Sequence, residues 1–166
     1  SAIYQVDMVI PLTNGLVDVS AADGGSVAIL GVMNGCEYIN TDGKPVFSNY
    51  YPGTSSIKSG TEATVHIYDN PWQVYECQAD ASLTNAATAQ ALVHSNAEGT
   101  GFASQNGSTG KSTGEISVAS AGATTATDNF RIIGIKDNFE DISVTTAGVI
   151  FLVKLNLPFH TATTGL

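Results

Sequence analysis

The sequence predicts an all-β chain: a single-domain antiparallel β-barrel or β-sandwich with long polar loops and at most one short helix. Three observations predict it. Short runs of β-branched and aromatic residues recur along the chain, separated by Gly, Pro, Asn and Asp turn signals. Charged residues are only 13% of the 166, about half the usual ~25%. Hydrophobic residues are 43%, whereas disordered chains combine low hydrophobicity with high charge. The length suits one domain spanning residues 1–166, with enough chain to bury a core.

The elements follow in order. Ala2 to Leu12 reads as strand from the outset with no leader before it, so a processed or truncated chain is expected. Asn14-Gly15 lies between that run and Leu16–Val19, a hairpin signal because both turn positions tolerate positive φ. Asp23-Gly24-Gly25 breaks the chain, and Val27 to Val32 is apolar enough for a strand buried on both faces. Asn34-Gly35 is a turn or a bulge, Asp42-Gly43 a tight turn, and Pro45 to Tyr51 the aromatic return strand. Thr61 to Tyr68 alternates, with Ala63, Val65 and Ile67 on one face. Trp72 to Ala79 alternates too, with Tyr75, Cys77 and Ala79 opposite Trp72, Val74, Glu76 and Gln78.

Leu83 to Val93 is the one helical candidate, capped by Thr84 or Asn85. The stretch 96–114 reads as a polar loop insertion holding one apolar anchor, Phe102. Glu115–Ala119, Phe130–Lys136 and Val149–Leu157 complete the strands. In the last of these Phe151, Val153, Leu155 and Leu157 share a face, and Pro158 ends the run.

Charge narrows the function. Six basic against fifteen acidic residues leave a net charge of −9. That argues against nucleic acid, whose binding needs basic patches to displace counterions, and against an anionic membrane surface. No apolar run reaches the ~18–20 residues of a spanning helix. Cys36 and Cys77 are too few for a disulfide scaffold and lack zinc spacing. Both sit in apolar strands and read as buried thiols of a reducing compartment.

Motifs that carry chemistry are scarce. Gln105 to Thr113 ends in Gly-Lys-Ser, but Gln105 stands where a phosphate loop needs its first glycine, and no helix is expected after it. His66, His94 and His160 lie far apart, and no Gly-x-Ser-x-Gly elbow occurs. Asp137, Glu140 and Asp141 share one turn without the alternating oxygen ligands of a calcium loop. No catalytic, cofactor or metal residue is therefore assigned. The aromatics Tyr38, Phe47, Tyr50, Tyr51 and Trp72 lie in or beside strands, where they serve a core, an interface or a sugar-stacking platform.

Four blocks carry a resemblance: GVMNGCEYINTDGKPVFSNYYPGT (Gly31 to Thr54), HIYDNPWQVYECQAD (His66 to Asp80), FRIIGIKDN (Phe130 to Asn138) and VIFLVKLNLPFH (Val149 to His160). In this order they resemble the capsid decoration, or cement, proteins of marine tailed bacteriophages, encoded beside the major capsid protein. The resemblance covers the chain from about Val27 onward and includes no catalytic signature. It implies a non-enzymatic virion protein without cofactor, a homotrimer bound to the major capsid protein on the outer surface of the head. There it would brace the shell against DNA pressure. Members of this kind begin with an N-terminal arm, so one is expected upstream of residue 1. The interface residues expected on this reading are Tyr50, Tyr51, Trp72 and Phe102. The alternative is a carbohydrate-binding or host-adhesion β-sandwich, and an all-β hydrolase stands behind that.

Overall fold

The computed structural model describes residues 1–20, 28–83, 85–102, 105–106, 109–136 and 148–161. The Asp23-Gly24-Gly25 break, Val27, the alternative cap Thr84 and the acidic turn at 137–141 lie outside the described residues.

Two antiparallel sheets and two short ribbons make up the chain. The strands are β1 (Met8–Pro11), β2 (Val17–Val19), β3 (Gly31–Ile39), β4 (Pro45–Ser48), β5 (Thr64–Tyr68) and β6 (Tyr75–Gln78). After α1 (Ala86–Ala91), the one α-helix among the described residues, come β7 (Asn96–Ala97), β8 (Gly99–Thr100), β9 (Gln105–Asn106), β10 (Lys111–Ser112), β11 (Glu115–Ile116), β12 (Phe130–Ile135) and β13 (Ile150–Leu155). Asn85 caps α1, its side-chain oxygen accepting the Thr88 N–H at 2.8 Å.

β3 is the spine of the first sheet. β5 runs along one edge, from Val32 to Glu37. β1 and β4 share the other edge, β1 at Gly31–Val32 and β4 at Cys36–Ile39. β2 folds back on β1 through the Asn14-Gly15 hairpin, with Gly15 at φ 81°. The second sheet has the order β6-β13-β12-β7. Its outer strands β6 and β7 pair with no strand of the first sheet among the described residues, so the sheets stay open. Of the two architectures the sequence allows, the closed barrel is set aside and the sandwich fits.

Each sheet carries one bulge, and both do the same work. Register against β5 shifts between Met33 and Gly35, so Asn34 is the extra residue. A regular strand would send Met33 and Cys36 to opposite faces. With the extra residue, Met33, Cys36 and Tyr38 all pack into one cluster with Val65 and Ile67 of β5. In β12 the shift falls between Ile132 and Gly134. Phe130, Ile132 and Ile135 consequently all reach the other core.

There are two cores. The larger lies behind the second sheet and gathers Phe130, Ile132, Phe151, Val153 and Leu155 against Met8 and Ile29. The smaller lies on the first sheet and gathers Ile3, Val9, Val19, Met33 and Cys36. β1 serves both: Met8 faces the first and Val9 the second, and both are fully buried. The sheets are tied where the Ile29 N–H donates to the Leu157 carbonyl at 2.9 Å and the Phe159 N–H to the Ile29 carbonyl at 2.8 Å.

The stretch 96–114 is more structured than a polar loop. β7 pairs with β12, β8 with β11, and β9 with β10. The pairings are two residues long, too short to leave a periodic hydrophobic signal.

Gly31 sits where β3 begins, and a Cβ there would collide with the Tyr68 carbonyl and the Ile67 side chain of β5. Gly31→Ala should therefore lower stability by about 3 kcal/mol, read as a reduced urea midpoint with an unchanged slope.

Candidate functional site

The surface feature with the most chemistry is a groove between the two sheets, with a volume of about 670 Å³. Its first wall comes from Val6, Met8, Val32 and Tyr68 of the first sheet and the segment before it. Its second wall is Val74, Tyr75, Glu76 and Cys77, which are consecutive in and before β6. Phe102, Gly114 and Phe130 form the floor. The Tyr75 hydroxyl crosses it, donating to the Tyr68 carbonyl at 3.2 Å. Burial, helped by the Asp69 charge, pushes the Tyr75 hydroxyl up to about 12.

Val6 has unusual geometry. It stands at φ 66°, a conformation in which a β-branched residue is strained. The surrounding bonds hold it there. The Asp7 N–H donates to the Tyr4 carbonyl at 3.0 Å, closing a turn, and the Tyr4 N–H donates to the Asp7 carboxylate at 2.8 Å. The Val6 N–H donates to the Met33 carbonyl at 2.8 Å, and the Met33 N–H to the Asp7 carbonyl at 2.9 Å. Yet the Val6 side chain is 50% exposed, so its burial does little to offset the strain.

The turn between β5 and β6 presents Trp72. The Asn70 side chain accepts the Trp72 N–H at 3.0 Å and the Asn70 carbonyl accepts the Gln73 N–H at 3.0 Å. With Pro71 between them the turn is rigid. Trp72 is 72% exposed, and the Lys154 ammonium lies 5.6 Å from its ring centroid. Phe47 on β4 is exposed still further.

The other interface residues expected from sequence fall elsewhere. Tyr50 stacks on Tyr4 with centroids 5.8 Å apart. Tyr51 pairs with Ile3 and packs on the smaller core. Tyr51 also lines a pocket with Val65 and Ile67 of β5. Phe102 is a correction: it is only 9% exposed, belongs to the larger core and lies 5.8 Å from the Phe130 ring. Gly99 and Gly114 leave room for its ring, which side chains at either position would strike. Its polar sequence surroundings hide this role, and the two glycines were the available signal.

The remaining motifs resolve simply. The residues after Gly110 form β10 paired with β9 and not a helix, so no helix N-terminus meets the Gly-Lys-Ser run. His66 and His94 are exposed, and His160 lies 3.5 Å from Asp69. No cluster of three His, Cys, Asp or Glu side chains suited to a metal occurs among the described residues. Cys36 and Cys77 are free thiols, the first buried and the second half-buried. No protein-family model, curated protein or solved structure matches the chain.

Two outcomes test this assignment of roles. Phe102→Ala should cost about 3–5 kcal/mol in chemical denaturation, whereas Trp72→Ala should stay within about 0.5 kcal/mol. Burial pushes the Cys36 thiol up to about 11 and, with Glu115 adding to it, the Cys77 thiol to about 12, from 9 in the unfolded chain. Native thiols then keep protons that unfolded ones lose, so stability should be full below pH 9 and fall as pH rises toward 11 and 12. Urea midpoints measured across that range should fall less steeply in a Cys36→Ala, Cys77→Ala variant.

Proposed function

We propose that this chain is a non-enzymatic structural protein of a virion: a capsid decoration protein that binds the outer surface of a phage head as a homotrimer. The observation that carries the reading is Trp72, a large aromatic side chain held on a hydrogen-bonded turn and left mostly in solvent. A rigid, exposed indole is the kind of residue that anchors a protein interface, because it loses little entropy when covered. Phe47, far out on β4, is a second such residue. The net charge of −9 supports a place outside the shell, away from packaged DNA. Threefold repetition of one weak contact would accumulate affinity for an ordered shell, and binding to the expanded shell alone would stabilise it by mass action.

A second reading has one observation in its favour. The mostly exposed indole follows Asp69 and Asn70 in one turn, residue types that would suit an aromatic platform for a sugar. Sedimentation of the full chain with empty expanded phage shells separates the two. A trimer that co-sediments at fixed stoichiometry is expected, with Trp72→Ala weakening the association by more than about tenfold. A monomer that ignores shells but binds in a glycan screen would overturn the decoration reading. Unchanged occupancy for Trp72→Ala would remove the residue on which it stands.

A further inference from the structure

The groove between the sheets follows a strand edge. Val74, Tyr75, Glu76 and Cys77 all line it, although successive side chains of a strand point to opposite faces. Four neighbours in sequence can line one groove only where it runs along their backbone. That edge is β6's outer one. The Ala79 N–H donates to the Val149 carbonyl, opposite it in the register, which makes Cys77–Phe151 and Tyr75–Val153 the hydrogen-bonded pairs with β13. The N–H and C=O of Glu76 therefore point away from β13, into the groove. Farther along, the same edge is already in use: the Asp80 N–H donates to the Ile116 carbonyl at 2.9 Å. At the near end the Gln73 side-chain amide donates to the Val74 carbonyl at 2.9 Å, standing in for the backbone donor of a neighbouring strand.

We propose that this groove takes an extended, uncharged, apolar segment of a partner protein, which joins the second sheet as an added strand beside β6. The charge around it selects that occupant. In a chain of net charge −9, the one charged side chain that lines this groove, Glu76, is met by a lysine, and Glu115 adds negative charge beside Cys77. Glu76 pairs with Lys136 at 2.6 Å, Asp69 faces His160 at 3.5 Å, and Lys154 covers Trp72. A charged segment laid into the groove would lose hydration against a lining that is apolar but for Glu76, whose charge Lys136 already meets. The wall facing β6 is apolar, from Val6, Met8, Val32 and Tyr68. Val6 holds half its side chain in solvent at the groove, apolar surface that an arriving segment would cover. This inference does not rest on the virion reading.

The test uses the full isotope-labelled chain and a blocked hexapeptide of alternating Thr and Val. The peptide should shift the Glu76 amide resonance and slow its hydrogen exchange at least tenfold. The same peptide with alternate backbone nitrogens methylated should not, and neither should one of alternating Lys and Glu. Glu76→Pro removes the groove-side donor while leaving the N–H groups that β13 uses, so it should abolish peptide binding. Glu76→Gln, which loses only the ion pair, should retain it. Should Glu76→Pro fail to fold, Val6→Gly gives an independent reading: a higher urea midpoint from relieved strain, with peptide affinity at least threefold weaker. An unprotected Glu76 amide at millimolar peptide overturns the proposal. So does equal binding of the methylated peptide, which would make the groove a receptor for apolar mass alone. Protection that rises with protein concentration without peptide would replace the partner with a second copy of the chain.

Discussion

The fold depends on β1 having no solvent side. Met8 enters the larger core and Val9 the smaller, and neither retains any exposed surface. A slip of one residue would exchange the two side chains between cores of different size and shape. The register is fixed just before the strand, where the Asp7 carbonyl and the Val6 N–H bond to the two backbone groups of Met33. The strained turn is thus part of what aligns β1 with β3. The strain persists because three neighbouring backbone groups are already committed.

The bulges extend this logic. The length of β3 would normally lead its apolar side chains back and forth between faces. The extra residue Asn34 lets the strand support Met8's neighbour Val32 at one end and the Cys36–Tyr38 side of the smaller core at the other. β12 does the same with Ile133 before closing on β13. In both strands a glycine follows the extra residue, and Gly35 is packed near the Ser48 carbonyl, where a side chain would be tight.

Much of this was legible in the sequence. The Asn14-Gly15 hairpin, the Asn85 cap, the inward set Tyr75, Cys77 and Ala79, and the inward set Phe151, Val153 and Leu155 all emerge where periodicity predicts them. Asn34-Gly35 announced an irregularity, and the structure makes it a bulge. Three things were not legible, each for a physical reason. The strand order is set by which faces meet, and no local pattern encodes that. Phe102 lies among Gly, Ser and Thr, and its core role depends on Gly99 and Gly114 leaving room for the ring beside Phe130, which no hydrophobic periodicity encodes. The turn at Val6, between Gln5 and Asp7, sits inside a stretch whose β-branched and aromatic residues read as one strand, and its positive φ uses a residue type that does not signal a turn. The groove is farther still from view, because it belongs to no segment and arises only where Tyr68 and β6 face one another.

The pairings that bring distant segments together set the order of events when the chain folds. Gln5 lies beside Lys111, and Ile29 beside Pro158, so these contacts close loops of about a hundred residues or more, each at an entropic cost that must precede its reward. A topology so rich in non-local pairs folds slowly compared with a helical chain of the same length. During synthesis the Gln5 backbone lacks its partners until residues 110–112 have emerged, and the Ile29 backbone lacks its own until residues 157–159 have. Until then the edge strands are open to the wrong neighbours. Residues 157–159 are therefore what completes the pairing of Ile29 and closes that opportunity for mispairing.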